Sequence, residues 1–366
     1  MSEALGDFGF NVLKRLSTSS PGTQIFISPS SLEMALALTA GGAKGATQDC
    51  IFESMGLQGA SYSEAAAYFR NLSGRLSGAD ERCSLELANS IWIHNALKVQ
   101  DNFIATAGRD FDAAASVRDF NAPATLNEIN RWCNDRTHGK IPTILEQLDD
   151  RLAMAIMNAT YFNGEWSFEW VTQTVQPFKA YDGTLKDVEM MYVCDRFRHS
   201  EDELFSMLEL PYGNGSFVLD ILLPKDASLF DRAVQSLSAE RFGALSDSLS
   251  SKKVAVSVPK FKIEYDTELN DVLSALGMGR AFSGAADFSG ISDMPLAIGT
   301  VRQKTFVDVN EKGTEAAAVT VIGLKNMAMR PTAPPLEFIA DRPFVLVIRE
   351  RTSGAILFVG QKTGNQ

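Results

Sequence analysis

The chain has 366 residues, 45% of them hydrophobic, and its 34 basic against 45 acidic side chains give a formal net charge of −11. Such an acidic balance argues against nucleic acid or heparin held on a broad basic surface, and no apolar run is long enough for a membrane-spanning helix. Length alone suggests two or three domains, yet no Pro/Gly/Ser-rich linker divides the sequence, so residues 1–366 read as one domain with a substantial core.

The N-terminus opens with Phe8, Phe10, Val12, Leu13 and Leu16 at helical spacing. No charged-then-apolar leader precedes them, so the expectation is a protein that stays inside the cell or is secreted after a leader is removed. Ile25-Phe26-Ile27 is a short strand stopped by Ser28-Pro29, after which Ser30 or Ser31 is expected to cap a helix bearing Leu32, Ala35, Leu36 and Thr39. Thr47 is expected to cap the next helix, with Ile51, Phe52 and Met55 inward and Gly56 as its stop. Residues 60–76 read as helix and Leu85 to Ile93 as strand. Thr125-Leu126-Asn127-Glu128 has the form of a capping box ahead of Ile129, Trp132 and Cys133.

Ala153 to Phe162 is too apolar for an edge strand and reads as central, with Asn158 as its odd residue. A lone amide there needs partners, because leaving it unsatisfied costs roughly 1–3 kcal/mol. Val218 to Pro224, Val254 to Val258 and Val301 to Val309 follow as strands, while Asp266 or Thr267 is expected to cap a helix bearing Leu269, Val272, Leu273 and Leu276. Phe344 to Ile348 and Ala355 to Val359 read as a hairpin across Arg351-Thr352-Ser353-Gly354.

Candidate chemistry is sparse. Only His94, His138 and His199 are available, and there is no G-x-S-x-G elbow, H-E-x-x-H or phosphate-binding lysine motif; Gly41 to Gly45 reads as a helix-to-helix turn. Cys50, Cys83, Cys133 and Cys194 are widely spaced without a C-x-x-C pair, and are expected to be mostly buried free thiols. Asn71-Leu72-Ser73, Asn158-Ala159-Thr160 and Asn214-Gly215-Ser216 match glycosylation acceptors. No motif calls for a cofactor or a metal.

The most informative stretch follows Glu311. Thr314, Ala316, Ala318, Thr320, Ile322 and Leu324 fall on one face of an extended chain, small and then apolar, without charge, and no proline interrupts it before Pro331. Such a segment is suited to be exposed in one state and to slide between two strands in another.

Glu311-Lys312-Gly313-Thr314-Glu315-Ala316-Ala317-Ala318, with Arg342-Pro343-Phe344 some thirty residues later, resembles the hinge and C-terminal signature of serpins. Phe26-x-Ser28-Pro29-x-Ser31, Thr137-x-Gly139-Lys140-Ile141, Tyr161 to Trp166, Leu210-Pro211-Tyr212 and Asp287 to Ser292 also resemble that family, so the likeness covers nearly the whole chain. It implies an α+β serpin fold: a large mixed central sheet, two further sheets, about eight to nine helices and an exposed reactive-centre loop at about 311–335. A helix is also implied between Ile141 and Ala153. Ser28, Ser31, Asn158 and Gln303 would form the shutter beneath the sheet, and Trp166 the breach where the loop first enters. Gln303 stands where the family usually carries a histidine, so no pH switch is expected from that position.

The likeness further implies a suicide-substrate inhibitor of serine proteases rather than an enzyme. Its partner would be a protease held as a covalent acyl-enzyme, with no nucleic acid, membrane or heparin involved and the protein a monomer. Glu311 and Gly313 are the hinge, and Thr314, Ala316, Ala318 and Thr320 the inserting face. The scissile residue would lie sixteen after Glu311, at Met327 with Ala328 on the leaving side, and an unbranched apolar Met suits elastase-like or chymotrypsin-like pockets. Lys325-Asn326 and Met329-Arg330 are alternatives. A non-inhibitory carrier, chaperone or storage protein of the same fold is the competing reading.

Overall fold

A computed structural model describes residues 2–314 and 334–365. Helix α1 (Ser2–Ser19) leads through β1 (Ile25–Ile27) into three helices, α2 (Pro29–Gly42), α3 (Gly45–Ser54) and α4 (Tyr62–Leu76). Strand β2 (Cys83–His94), α5 (Asp101–Phe111), β3 (Ala114–Arg118), α6 (Pro123–Arg136) and β4 (Met154–Gly164) follow. Next come β5 (Thr172–Lys179), β6 (Leu185–Glu201), β7 (Phe205–Pro211), β8 (Phe217–Pro224), α7 (Phe230–Gln235) and α8 (Ala239–Asp247). The chain then runs through β9 (Ser250–Pro259), β10 (Phe261–Glu268), α9 (Asn270–Ala275), β11 (Thr300–Asn310) and the two-residue β12 (Gly313–Thr314). It closes with β13 (Leu336–Ile339), β14 (Phe344–Glu350) and β15 (Ile356–Lys362).

Among the described residues the strands form two sheets. One has six strands in the order β10-β11-β12-β4-β2-β3 and is mixed, because β11–β4 and β2–β3 are parallel while the other pairs are antiparallel. The other has nine, in the order β1-β15-β14-β8-β7-β6-β9-β13, with β5 on β6. The 17-residue β6 explains the joining of what the family likeness gives as two further sheets: its start pairs with β5, its middle with β9 and its end with β7. The central position expected for Ala153 to Phe162 holds, since β4 lies between β2 and β11 and is buried almost throughout. The main core fills the space between α2 and the sheets, and a smaller cluster under α6 packs Ile129, Cys133 and Ile141 on Met157, Tyr161 and Phe306.

Helix starts differ from expectation where a side chain has a tertiary partner. Neither Ser30 nor Ser31 caps α2: Ser28 occupies that position without a capping bond, and Pro29, whose missing N–H would be unsatisfied anyway, begins the helix. Thr47 lies inside α3, its hydroxyl accepting from the Asp287 N–H at 2.9 Å. The box at Thr125 and Glu128 does not form, because Thr125 donates to the Asp119 carbonyl at 2.6 Å and Glu128 pairs with Arg118 at 2.6 Å. A capping box does form at Ser61 and Glu64 of α4. Asp266 and Thr267 belong to β10, and Leu269 takes the N-cap position ahead of α9. No helix lies between Ile141 and Ala153: the Asn130 side chain accepts from the Ile144 and Leu145 N–H groups at 2.9 and 3.0 Å and holds that segment irregular. Of the four free thiols only Cys133 is fully buried; the others are half-buried.

Candidate functional site

The site is a seam in the six-stranded sheet. Strands β11 and β4 pair in parallel from Thr300↔Ala155 to Phe306↔Tyr161, and each is antiparallel to its other long neighbour. Parallel pairing is slightly the weaker kind per residue. Beyond Phe306 and Tyr161 the two strands diverge, and β12 enters the fork, pairing Thr314 with Val309 on one side and with Gly164 on the other. One end of the seam is therefore already wedged by the two residues that open the candidate loop.

Polar residues that the sequence scattered over hundreds of positions meet under the middle of the seam. Gln303 and Asn158 stand directly opposite, and Asn158 stands opposite Asn89 of β2, so three carboxamides form one row across three strands. Gln303 Nε2 donates to Asn158 Oδ1 at 2.6 Å, and Asn158 Nδ2 donates to Asn89 Oδ1 and to Ser31 Oγ, each at 2.5 Å. The same carboxamide clasps Ser28, its Oε1 accepting from the Ser28 N–H and its Nε2 donating also to the Ser28 carbonyl, both at 2.9 Å. All five residues are buried. The partners Asn158 requires are thus Ser31 and Gln303, the latter also holding Ser28, together with Asn89, which sequence reasoning missed. Asn89 carried the same signal as Asn158, an amide interrupting an apolar strand. None of the row titrates.

The first turn of α2 is bolted to the second sheet as well. Ser28 Oγ donates to the Leu357 carbonyl at 2.7 Å and Ser30 Oγ to the Ile356 carbonyl at 2.6 Å, while Thr305 of β11 donates to the Phe26 carbonyl. One row from the amides, the buried Thr160 hydroxyl has no hydrogen-bond partner among the described residues.

At the wedged end, Trp166 stacks on Tyr212 with ring centroids 4.4 Å apart and donates its indole N–H to the Asn310 carbonyl at 2.8 Å, fixing the end of β11. The turn at 311–312 is tied by the Asn310 side chain, which accepts from the Lys312 N–H at 3.0 Å. Gly313 has φ +134°, and a Cβ there would meet Glu165 Cα at 2.8 Å and the Gly164 carbonyl oxygen more closely still, so only glycine fits. Glu311 pairs with Lys260 at 2.9 Å, and Lys260 reaches Glu189 at 3.2 Å and Gln173 at 2.9 Å on the β5–β6 hairpin. Partial burial opposes ionisation of Glu311, but the hydrogen bond from Lys260 and that cation's charge outweigh it and hold the carboxyl below its ordinary range. Met327, Ala328, Ala316, Ala318 and Thr320 lie outside the described residues, as does the Thr314 side chain.

A family model described as "Serpin (serine protease inhibitor)" matches residues 3–363. Iripin-3 of Ixodes ricinus is 35% identical over 99% of this chain and 94% of its own length. The leukocyte elastase inhibitor of Bos taurus is 33% identical over 99% of this chain and 98% of its own length. Among solved structures, a thermophilic serpin, Tengpin, in the native state superposes with TM-score 0.91 at 27% identity, covering 99% of this chain and 93% of that one. Thyroxine-binding globulin in complex with thyroxine gives TM-score 0.90 at 27% identity over 99% and 98% of the two chains.

Proposed function

The chain belongs to the serpin family, and from that premise we propose that it is a suicide-substrate inhibitor of serine proteases with an elastase-like or chymotrypsin-like target. The observation that carries this reading is the seam: a parallel strand pair, bridged by neutral amides and already entered by Gly313–Thr314 at one end. An antiparallel strand inserted there would replace one parallel ladder with two antiparallel ones, each with a new set of backbone hydrogen bonds, and that difference is the free energy an intact fold stores.

Register specifies what would enter. Counting on from Thr314↔Gly164 and Thr314↔Val309, Ala316 comes opposite Phe162 and Val307, Ala318 opposite Thr160 and Thr305, and Thr320 between Asn158 and Gln303. Small side chains thus meet the buried face, and the one hydroxyl in that run of three arrives at the amide row, where it donates to one carboxamide and accepts from the other as their mutual bond breaks. The protease supplies the covalent chemistry: its serine attacks the Met327 carbonyl, expels the amine of Ala328 and remains as an acyl-enzyme. The thirteen steps from Thr314 to Met327 span roughly 45 Å at strand rise, so insertion carries the enzyme far from its docking position and distorts its oxyanion hole.

Mixing the protein with chymotrypsin-like and elastase-like enzymes tests this on a denaturing gel with mass spectrometry. The expected result is a denaturant-resistant adduct and a released peptide beginning at Ala328. Thr314→Arg should be cleaved without adduct, since a guanidinium enters a sheet interior only at high cost. A second reading, a non-inhibitory carrier, draws on the likeness to thyroxine-binding globulin and on a cleft of about 650 Å³ lined by Gly6, Phe242, Arg349 and Arg351. Cleavage of the unaltered chain without any adduct would favour it.

A further inference from the structure

Helix α2 contains a carboxyl group that the seam does not use. Glu33 is 3% exposed, and no hydrogen bond or ion pair reaches it among the described residues. It lines a cavity of about 10 Å³, at the lower bound for one water molecule, together with Leu5, Gly6, Ser30, Tyr68, Ala355 and Ile356. An ionised carboxylate in that setting is strongly disfavoured, and burial alone raises its pKa well above the ordinary value of 4.5.

The position of this group matters more than its burial. Ser30, one turn before Glu33, is the residue that bolts α2 to the Ile356 carbonyl, and Ile356 also walls the cavity. Ser28 and Ser31, on that same first turn, hold Gln303 and Asn158 across the seam. Whatever parts α2 from β15 therefore slackens the grip on the amide row. Among the described residues that line the cavity with Glu33, Tyr68 of α4 is the titratable group; α1 presents Leu5 and Gly6, and the β14–β15 hairpin presents Ala355 and Ile356. No cation lines the cavity among the described residues.

We propose that Glu33 is a proton switch on opening of the sheet. With its proton the carboxyl is a neutral group that tolerates burial and leaves the first turn of α2 seated on β15. Losing that proton to bulk water leaves a carboxylate that draws solvent between α2 and Ile356, loosening the bolts at Ser28 and Ser30. The uncharged Gln303 makes the amide row itself indifferent to pH, so the sensitivity enters from behind it.

The sign follows from linkage. A carboxyl whose pKa is raised in the folded state binds its proton more tightly there than in the unfolded chain, so the stability it confers is lost as pH rises toward the folded value. Over that range the unfolding equilibrium constant increases by up to about tenfold per pH unit. The test compares wild type with Glu33→Gln, both uncleaved, from pH 4.5, the ordinary glutamate value, up to pH 9. Stability is read by denaturant unfolding and seam opening by amide exchange over Thr300–Phe306. Glu33→Gln should be the more stable and slower to exchange at high pH, with the gap closing toward pH 4.5. Parallel pH profiles, whatever their offset, overturn the proposal. Should Glu33→Gln not fold, the infrared band of a protonated buried carboxyl in the wild type just above pH 4.5 decides: its absence refutes the proposal and its loss on raising pH, together with faster seam exchange, supports it. Neither readout involves a protease, so failure here is distinct from failure of the inhibitor reading.

Discussion

The seam between β11 and β4 and the interface between β8 and β14 are both buried strand pairs of similar length, yet they are built on opposite plans. At the seam the strands are parallel, and the groups that bridge them from below are neutral amides and hydroxyls. At β8–β14 the strands are antiparallel, apolar residues dominate, and Arg349 clamps Asp220 at 2.5 Å and Glu209 at 2.7 Å, all three buried. A neutral amide exchanges one partner for another at little cost, whereas a buried ion pair that loses a partner leaves an uncompensated charge. The first plan suits a joint that opens and the second a frame that does not.

Breaking the frame should give the largest effect. Arg349→Ala would strand the buried Asp220 carboxylate and leave Glu209 to Arg198 and Arg351 alone; it is expected to cost about 3–5 kcal/mol, lowering denaturant midpoints of the intact and the loop-cleaved protein alike. Asn158→Leu acts on the joint instead: Asn89, Ser31 and Gln303 each lose a partner, at a cost of about 1–3 kcal/mol in the intact form. Its distinguishing outcome is unequal, with the intact protein destabilised more than the cleaved one and converting sooner, on gentle warming, to a non-inhibitory monomer. Equal shifts from both variants would erase the contrast between joint and frame.

Acid separates the two regions more gently. Burial pushes Asp220 up to about 6 despite its pairing with Arg349, so the frame is favoured by protonation and gives up stability as pH rises toward that value. Glu311 has the opposite sign: its lowered pKa means that the latch to Lys260 is made above the ordinary glutamate value of 4.5 and is lost as pH falls through the folded value. Acidification below 4.5 should therefore speed amide exchange at Val307–Gly313, and Glu311→Gln should remove that acid limb. The latch is partly exposed, so the expected change is the smallest of the set, about 0.2–1 kcal/mol.

Much of this was legible in the sequence because it depends on patterns that neighbouring residues share. The unbroken apolar run placed β4 in the middle of its sheet, and Asn158 announced a buried partner set by being the wrong residue for that run. Resemblance added Ser28, Ser31, Gln303 and Trp166, and the structure brings Ser31 and Gln303 to Asn158, Ser28 to Gln303 and Trp166 to the end of β11. Hydrogen bonding to distant strands was not legible. Thr125 and Ser31 have the side chains of caps, but each found a tertiary partner that a one-dimensional rule cannot see. Nor did the sequence mark Glu33, which on α2 stands among Leu32, Met34 and Ala35 and differs from a solvated glutamate only in where the helix lies.

The central claim is that the seam holds a place which the severed loop fills at a gain in free energy. It is tested most directly by melting the intact protein beside protein cut once in the loop after Gly313–Thr314, monitored by far-ultraviolet circular dichroism under identical conditions. The account predicts that the cut molecule unfolds at a distinctly higher temperature, because two antiparallel ladders have replaced the parallel one between β11 and β4. Coincident curves, or a cut form that melts first, would contradict it.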